Sequence, residues 1–403
     1  MEELDLREEE LELPNEPMTL NLGPSHPATH GTIRIVAKVD GEVCVACDVQ
    51  PGYLHRGFEK MAERGTWAQV MPYTDRLNYV SPLLNNVGYA LAVEKILGVT
   101  SPERAQYIRV ILGELSRVSD HLTCLAAVIM DVGAMTPMLW MLKAREWIWG
   151  VTEEVTGARL THSYVRIGGL AADLTPEFGD KTLAIIPRVH AVLDESVALV
   201  QANRIFIDRL KGVGILRPEA ALSYGVTGPV LRASGVAHDL RKASPYLVYD
   251  RLDFDIPIGE VGDSWDRVMV RVEECRQSLR IVEQAIRQMP PPGSPINVPD
   301  ARIVLPPKTE VYTTIEATIN HFKIVMEGIP VPKGEAYGYT EAGNGELGFG
   351  LVSDGTGTPY RVRVRGPCFA NLQALGEMVL GLMIPDIVPT FGTINMIAGE
   401  CDR

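Results

Sequence analysis

A short segment, Gly23–Gly31, contains two histidines and two prolines: His26, His30, Pro24 and Pro27. Prolines at this spacing exclude a regular helix and the centre of a sheet, so we predict a rigid loop. A rigid loop can hold an imidazole in one place, as a proton donor requires. A histidine that only caps a turn is an equally good interpretation of these residues.

A second candidate group is Arg76-Leu77-Asn78-Tyr79, which precedes an apolar stretch of sequence. The hydroxyl of Tyr79 could donate to a carbonyl oxygen, and Arg76 could stabilise an anion that develops nearby. Packing of the tyrosine in the core fits the same residues at least as well.

Asp131 is the only charged residue in the apolar run Leu122–Leu142. A buried carboxyl has a raised pKa unless it is paired, and such a group could orient a histidine or take part in proton transfer. The alternative is a cap of the next helix. The run could cross a bilayer by length, but Gly133 and Pro137 interrupt it, and we interpret it as buried core in a soluble chain. The charged residues just before the run predict an amphipathic soluble helix: Arg109, Glu114, Arg117 and Asp120.

Cys44 and Cys47 form a C-x-x-C pair, which can indicate metal or redox chemistry. The pair lies in a predicted strand, where residues three apart point to opposite faces, and no second such pair exists. We therefore interpret both as small buried side chains and predict no metal site. The sequence also contains neither a dinucleotide-binding glycine motif nor a phosphate loop, so we predict no nucleotide site.

Composition limits the class of protein. With 46% apolar and 22% charged residues among 403, the chain is globular, and its length allows two to four domains. The net charge of −13 argues against nucleic acid as a partner. More than half of this negative charge lies at the N-terminus, since residues 1–17 carry a net charge of −7 and the remaining residues −6. The scattered cysteines and the absence of a secretory signal predict a reducing, cytoplasmic setting.

Hydrophobic patterns predict the elements that must position these residues. Two β-branched runs, Ile33–Val39 and Glu42–Val49, are joined by Asp40-Gly41, a strong hairpin signal. Residues 335–366 are also predicted as strands. The predicted helices are Leu84–Leu97, Pro102–Met130, Pro137–Thr156, Pro176–Lys211, Asp263–Met289, Thr309–Glu327 and Asn371–Leu382, followed by a tail broken by Gly and Pro. The pattern predicts an α+β fold.

Four regions follow from these patterns. We predict an acidic N-terminal tail at 1–17, a β region at 18–65, a helical core at 66–330 and a β/α region at 331–403 that packs on the core.

Ordered motifs from about Met18 to Arg403 resemble the large, hydrogenase-like (49-kDa or D) subunit of respiratory complex I, the proton-pumping NADH:quinone oxidoreductase. Nine motifs carry the resemblance: Gly23–Gly31, Leu54–Lys60, Tyr73–Tyr79, Ala92–Lys95, Arg109–Arg117, Arg166–Gly169, Pro332–Glu335, Gly345–Gly348 and Gly399–Arg403. The resemblance implies a helix-rich core like that of the nickel–iron hydrogenase large subunit.

The hydrogenase relation gives a test of metal binding. Hydrogenases bind nickel and iron through two C-x-x-C pairs, and the resemblance puts Asn78 and Ser81 at the first pair and Ile397 and Glu400 at the second. Soft thiolates are what such a centre needs. The resemblance therefore implies that this chain binds no metal, and that a catalytic hydrogenase subunit is the disfavoured alternative.

In the family, the cavity that corresponds to the metal site of the hydrogenase forms part of the ubiquinone or menaquinone headgroup site. By motif match, His30 and Tyr79 would donate hydrogen bonds to the two quinone carbonyls, and Asp131 would pair with His30. Arg76 and His162 would lie near the iron–sulphur cluster of a neighbouring small subunit without binding it.

The implied partners are that small iron–sulphur subunit, other peripheral-arm subunits including the 30-kDa type, and the membrane arm. The implied location is the cytoplasmic side of the inner membrane, as a peripheral subunit. Four positions depart from the family pattern: Ser25 for Gln, Thr161-His162 for an earlier histidine, Asn395 for Asp, and Cys401 for an apolar residue.

Overall fold

The computed structural model describes residues 17–403, so the predicted acidic tail lies outside the described residues except for its last one. Within that range the α-helices, numbered α1 to α17, are Phe58–Ala62, Met71–Thr74, Pro82–Leu97, Glu103–Asp131, Met135–Thr156, Phe178–Gln201, Arg204–Leu210, Pro218–Ser223, Pro229–Ala233, Leu240–Ala243, Ser264–Gln288, Lys308–Val311, Ile315–Met326, Pro367–Gln373, Leu375–Met378, Ile384–Ile394 and Ala398–Asp402.

The strands, β1 to β8, are Met18–Leu22, Arg34–Asp40, Val43–Gln50, Val165–Arg166, Gly169–Leu170, Gly334–Ala342, Gly345–Ser353 and Arg361–Arg365. They form small antiparallel sheets in the orders β1-β2-β3, β4-β5 and β6-β7-β8. Two 3-10 turns span Pro27–Thr29 and Tyr249–Arg251. The predicted α+β class is confirmed.

Helix α4 is the central element, with α3, α5, α11 and α16 packed around it. The sequence predicted an amphipathic helix whose charged residues face solvent. This prediction is wrong, because all charged residues of α4 from 109 to 120 are buried. Each has found a partner inside the protein. Arg109 pairs with Glu94 at 2.6 Å, and Arg117 pairs with Glu114 at 3.1 Å. Paired charges can be buried where lone ones cannot.

The predicted hairpin of β2 and β3 is confirmed, but it contains a β-bulge that reverses one prediction. The register shifts between Lys38 and Val39, so Val45 and Ala46 are both exposed. Cys44 is buried, and Cys47 packs against the same apolar cluster. The two cysteines therefore lie on one face of the strand, because a bulge shifts the alternation by one residue.

The predicted broken C-terminal tail is also wrong, since α16 and α17 are helical. Pro385 lies in the first turn of α16, where proline is tolerated. Pro389 lies inside the helix and cannot donate to the carbonyl of Pro385, which instead accepts a hydrogen bond from Arg209. A contact from a distant element thus satisfies the group that the proline leaves unpaired.

The apolar run around Asp131 is buried only in its first part. Met130, Met135, Leu139 and Trp140 are exposed, which corrects the prediction of a wholly buried segment. Within residues 17–403, every helix is either too short or too polar to span a lipid bilayer.

Candidate functional site

Tyr79 lies in a loop between α2 and α3 that buried hydrogen bonds hold in place. The side chains of Asn78 and Ser81 donate to the same oxygen of Asp120, Oδ2, at 2.8 and 2.9 Å. The Asn78 side-chain oxygen accepts the backbone N–H of Val80 at 3.1 Å. Both side chains flanking Tyr79 thus point inward, which leaves the tyrosine ring at the surface, 39% exposed.

The other oxygen of Asp120 connects this loop to the C-terminal segment. Asn395 donates from Nδ2 to Oδ1 of Asp120 at 3.0 Å and to Oδ1 of Asn344 at 2.7 Å. Asn395 ends α16 in the left-handed region, φ 59°, which asparagine adopts more readily than most residues. Asp120 therefore accepts three hydrogen bonds from side chains on two segments that are distant in sequence.

Helix α17 packs directly behind the Tyr79 loop. A Cβ added at Gly399 would lie 2.6 Å from the carbonyl oxygen of Arg76 and 2.7 Å from that of Leu77, so only glycine permits this approach. Burial raises the pKa of Tyr79, and the nearby Cys368 and the Asp120 carboxylate raise it further. Tyr79 is thus a neutral phenol at pH 7, and its hydroxyl has no hydrogen-bond partner in the described part of the chain.

His30 ends the 3-10 turn in the left-handed region, φ 54°. The turn-capping role falls to His26, whose Nδ1 accepts the backbone N–H of Ala28 at 3.1 Å. The imidazole of His30 is exposed and contacts the ring of Phe391 on α16, with 5.3 Å between ring centroids. The side chain that caps the turn is therefore that of His26; His30 ends the turn only through its backbone N–H, which donates to the carbonyl of Pro27.

Asp131, the last residue of α4, lies next to α16 as well. A Cβ added at Gly392 would be 3.4 Å from its Oδ2. The helix-cap alternative is wrong, because α5 begins after Ala134 with no side-chain cap. Asp131 raises the pKa of His30, but protein packed around the imidazole lowers it by more. Across residues 17–403, the structure contains neither a hydrogen bond nor an ion pair within 4.0 Å joining His30 to Asp131, so the two interact through space.

Arg76 and His162 lie on two loops that a single carboxylate joins. Asp75 accepts hydrogen bonds from the backbone N–H of Ser163, at 2.9 Å, and from its hydroxyl. Burial lowers the pKa of His162 to about 4, which leaves it neutral at pH 7. Arg76, the residue after Asp75, is exposed. The Asp75 carboxylate thus fixes the two loops relative to each other.

The four positions that the resemblance assigns to hydrogenase ligands converge in space. Asn78 and Ser81 meet at Asp120, whereas the backbone N–H of Ile397 points to the Cys368 thiol at 3.4 Å, and Glu400 accepts the backbone N–H of that cysteine. An amide, a hydroxyl, an apolar side chain and a carboxyl do not fit a thiolate-bound nickel–iron centre.

Sequence reasoning missed the buried residues that organise the Tyr79 loop: Asp120, Asn344, Cys368 and Asn371. Asn371 donates to the carbonyl of Asn344 at 3.0 Å, and Asn344 donates to the Cys368 sulfur at 3.4 Å. Asn344 lies between two glycines and is typical of a simple turn. The one available signal was Asp120, the last acidic residue before the apolar run that begins at Leu122.

Comparison with known proteins places this arrangement in a family. A family model described as "Respiratory-chain NADH dehydrogenase, 49 Kd subunit" matches residues 131–403. A D-type subunit of NADH-quinone oxidoreductase from Sorangium cellulosum is 64% identical over 405 residues, covering 100% of both chains. The D-type subunit from Myxococcus xanthus is 54% identical, covering 96% of this chain and 92% of its own.

A third relative joins two subunits in one chain. The combined C/D-type subunit of NADH-quinone oxidoreductase from Bdellovibrio bacteriovorus is 50% identical over 386 residues, which cover 96% of this chain and 69% of that protein. The match to the Sorangium cellulosum protein covers the whole chain and so spans the loop of Tyr79, the end of α4 and the C-terminal helices. The chain belongs to the family of the 49-kDa subunit of respiratory-chain NADH dehydrogenase.

Proposed function

We propose that this chain is the quinone-site subunit of an NADH:quinone oxidoreductase and binds the quinone headgroup beside an iron–sulphur cluster held by a neighbouring subunit. The observation that carries the proposal is the common support of His30, Asp131 and Tyr79. All three lie against one segment, residues 391–399, although they come from distant parts of the chain. The names of the relatives support the reaction.

Tyr79 acts as the fixed donor. Its phenol is neutral and exposed, and it is held by a loop in which the Asn78 and Ser81 side chains are bonded internally. A donor of this kind can hydrogen-bond one quinone carbonyl without reorganising as negative charge develops on the oxygen. Reduction of a quinone by two electrons places charge on both oxygens and takes up two protons.

His30 acts at the second carbonyl. An imidazole can donate a hydrogen bond and, in its charged form, release a proton. Asp131 favours the charged form of that imidazole from a distance. Because His30 is exposed in this chain, it can be reprotonated from solvent after turnover.

Arg76 and His162 face the partner that would hold the cluster. A fixed positive charge at Arg76 would favour the arrival of an electron there, and the neutral His162 would add no charge. The Asp75 carboxylate keeps the two loops in one arrangement, on which the distance from cluster to quinone depends.

The proposed partners are the small iron–sulphur subunit, the 30-kDa-type subunit and other peripheral-arm subunits, and the membrane arm. The fused C/D-type relative supports the second of these. The proposed location is the cytoplasmic face of the inner membrane, where this chain is peripheral.

Replacement of one hydroxyl tests the proposal. Tyr79→Phe should lower quinone reduction by the assembled complex by about 100-fold or more, because a donor to the reacting oxygen is lost. Tyr224→Phe is the matched control, since Tyr224 is similarly exposed, at 41%, and lies at the end of α8, away from these contacts. Wild-type turnover of short-chain quinone by Tyr79→Phe would contradict the assignment.

A further inference from the structure

Glu400, on α17, is completely buried, and only one of its carboxyl oxygens is satisfied. Oε1 accepts the backbone N–H of Cys368 at 2.8 Å. Oε2 has no hydrogen-bond partner anywhere in residues 17–403. An ionised carboxylate with one bare oxygen in the interior is costly, whereas a protonated carboxyl leaves that oxygen without charge.

The positive group that acts on Glu400 is already engaged elsewhere. The guanidinium of Arg365 donates to the backbone carbonyls of Glu346 and Gly225 and so does not form an ion pair with Glu400. The carboxylate of Asp120, by contrast, opposes a second negative charge nearby. Local charge therefore favours the neutral form.

Several titratable or charged groups face Glu400 from the elements packed against it. They come from α14, α4, the end of β8 and α17 itself: Cys368, Asp120, Arg365 and Cys401. Burial is the largest influence, and it raises the pKa of Glu400 to about 7, although the N–H of Cys368 acts in the opposite direction. Glu400 is thus poised to change charge in the physiological range.

We propose that Glu400 is a proton-holding residue of the quinone site: its ionised form binds one proton from solvent on Oε2 when negative charge develops beyond Gly399 on the Tyr79 side. The inference rests on the proposed function and adds to it a residue that does not contact the quinone. Negative charge at the site raises the affinity of a nearby buried carboxyl for a proton, because screening is weak in the interior.

The step requires no other reactant. A proton leaves water and binds Oε2, no covalent bond to quinone forms, and the charge change at Glu400 offsets part of the charge that arrives with the electrons. A neutral Glu400 therefore favours reduction of the quinone, and an ionised one opposes it.

Infrared difference spectroscopy of the purified complex tests the protonation without quinone turnover. With glutamate labelled by 13C, a protonated-carboxyl band should disappear as pH rises through about 7, and Glu400→Gln should lack it. Glu377→Gln is the matched control, because Glu377 lies on the adjacent α15 and is exposed. If Glu400→Gln does not assemble, the labelled wild type and a Cys368→Ser variant, which should shift the band frequency, still decide.

The pH profile tests the link to the site. Glutamine is neutral at every pH, so the alkaline limb of quinone reduction should move to higher pH by roughly one unit in Glu400→Gln and stay in place in Glu377→Gln. The absence of a titrating band, or an unmoved limb, overturns the inference. Wild-type turnover of Tyr79→Phe would instead overturn the proposed function, whatever the infrared band shows.

Discussion

The two halves of the candidate site are held in opposite ways. Around Tyr79, a buried carboxylate accepts three hydrogen bonds from side chains on two distant segments, and a glycine lets a helix pack against the loop backbone. Around His30, one aromatic contact supports the ring, and Asp131 influences it without touching it. One half is fixed by many contacts and the other by few.

The difference fits two kinds of chemistry. A group that only donates a hydrogen bond gains from rigidity. Its conformational freedom is lost when the protein folds, so no further entropy is lost during the reaction. A group that gives up a proton must regain it, which exposure to solvent permits. We infer that Tyr79 is the positional element of the site and that the His30–Asp131 pair is the exchangeable one.

The strongest test of this contrast is Asn395→Asp. It replaces the donor to Asp120 with a second carboxylate 3.0 Å away, so one of the two must be protonated or the contact must break. We expect a loss of about 2–4 kcal/mol in the free energy of unfolding at neutral pH.

The loss of stability should depend on pH, because the new carboxyl titrates. The new carboxyl has a folded-state pKa above its unfolded value, so its cost is small at acidic pH and grows as pH rises through the folded pKa. Thermal melting of the purified complex at several pH values measures this. Asn395→Ala removes the same donor without adding charge and should show a smaller pH trend; an equal trend in both variants would mean that the added carboxylate is not the cause.

A smaller effect is expected in the other half. Asp131→Asn removes a charge that raises the pKa of His30, so the imidazole deprotonates at lower pH. If its proton is used, the alkaline limb of the pH–rate profile should move to lower pH by roughly half a unit to one unit. The effect is opposite in sign to that expected for Glu400→Gln.

Asp180→Asn, which changes an exposed residue of α6, controls for net charge. An alkaline limb that stays in place in Asp131→Asn, with the cluster reduced normally, would exclude the pair as the proton source.

The smallest effect is expected for substitutions that lie outside both halves of the candidate site. Replacing Cys44 and Cys47 together by serine should leave assembly and iron content unchanged and shift the melting temperature by only a few degrees. The serine at 44 can keep the hydrogen bond that the Cys44 thiol makes to the carbonyl of Ala46. Loss of bound metal, measured by elemental analysis of the complex, would show that the shared face of this strand is a real metal site.

Local patterns predicted much of the fold. The β2–β3 hairpin followed from its Asp-Gly turn, and the long helices α3, α4, α5 and α11 followed from periodicity bounded by Pro and Gly. Two of the errors involve partners on other elements. The burial of Arg109 depends on Glu94, and the helicity of α16 depends on Arg209. A single-sequence pattern contains no such information.

For the site, the resemblance named His30, Tyr79 and Asp131, and their roles remain predictions. What no motif indicated was the support behind them. Asp120 and Asn395 are far apart in the sequence, and each alone is typical of an ordinary polar residue. Their importance is visible only once the chain has folded.

That long-range connection also bears on how the protein folds. The Tyr79 loop and α4 belong to the first third of the chain, yet Asp120 lacks one of its donors, and the loop lacks its packing partner, until residues 395–399 have been synthesised and docked. Contacts of such high sequence separation form slowly. Until then a nascent chain exposes the apolar side of α4 that α16 later covers, which makes aggregation a hazard during biosynthesis. The candidate site would thus be among the last parts of the molecule to form.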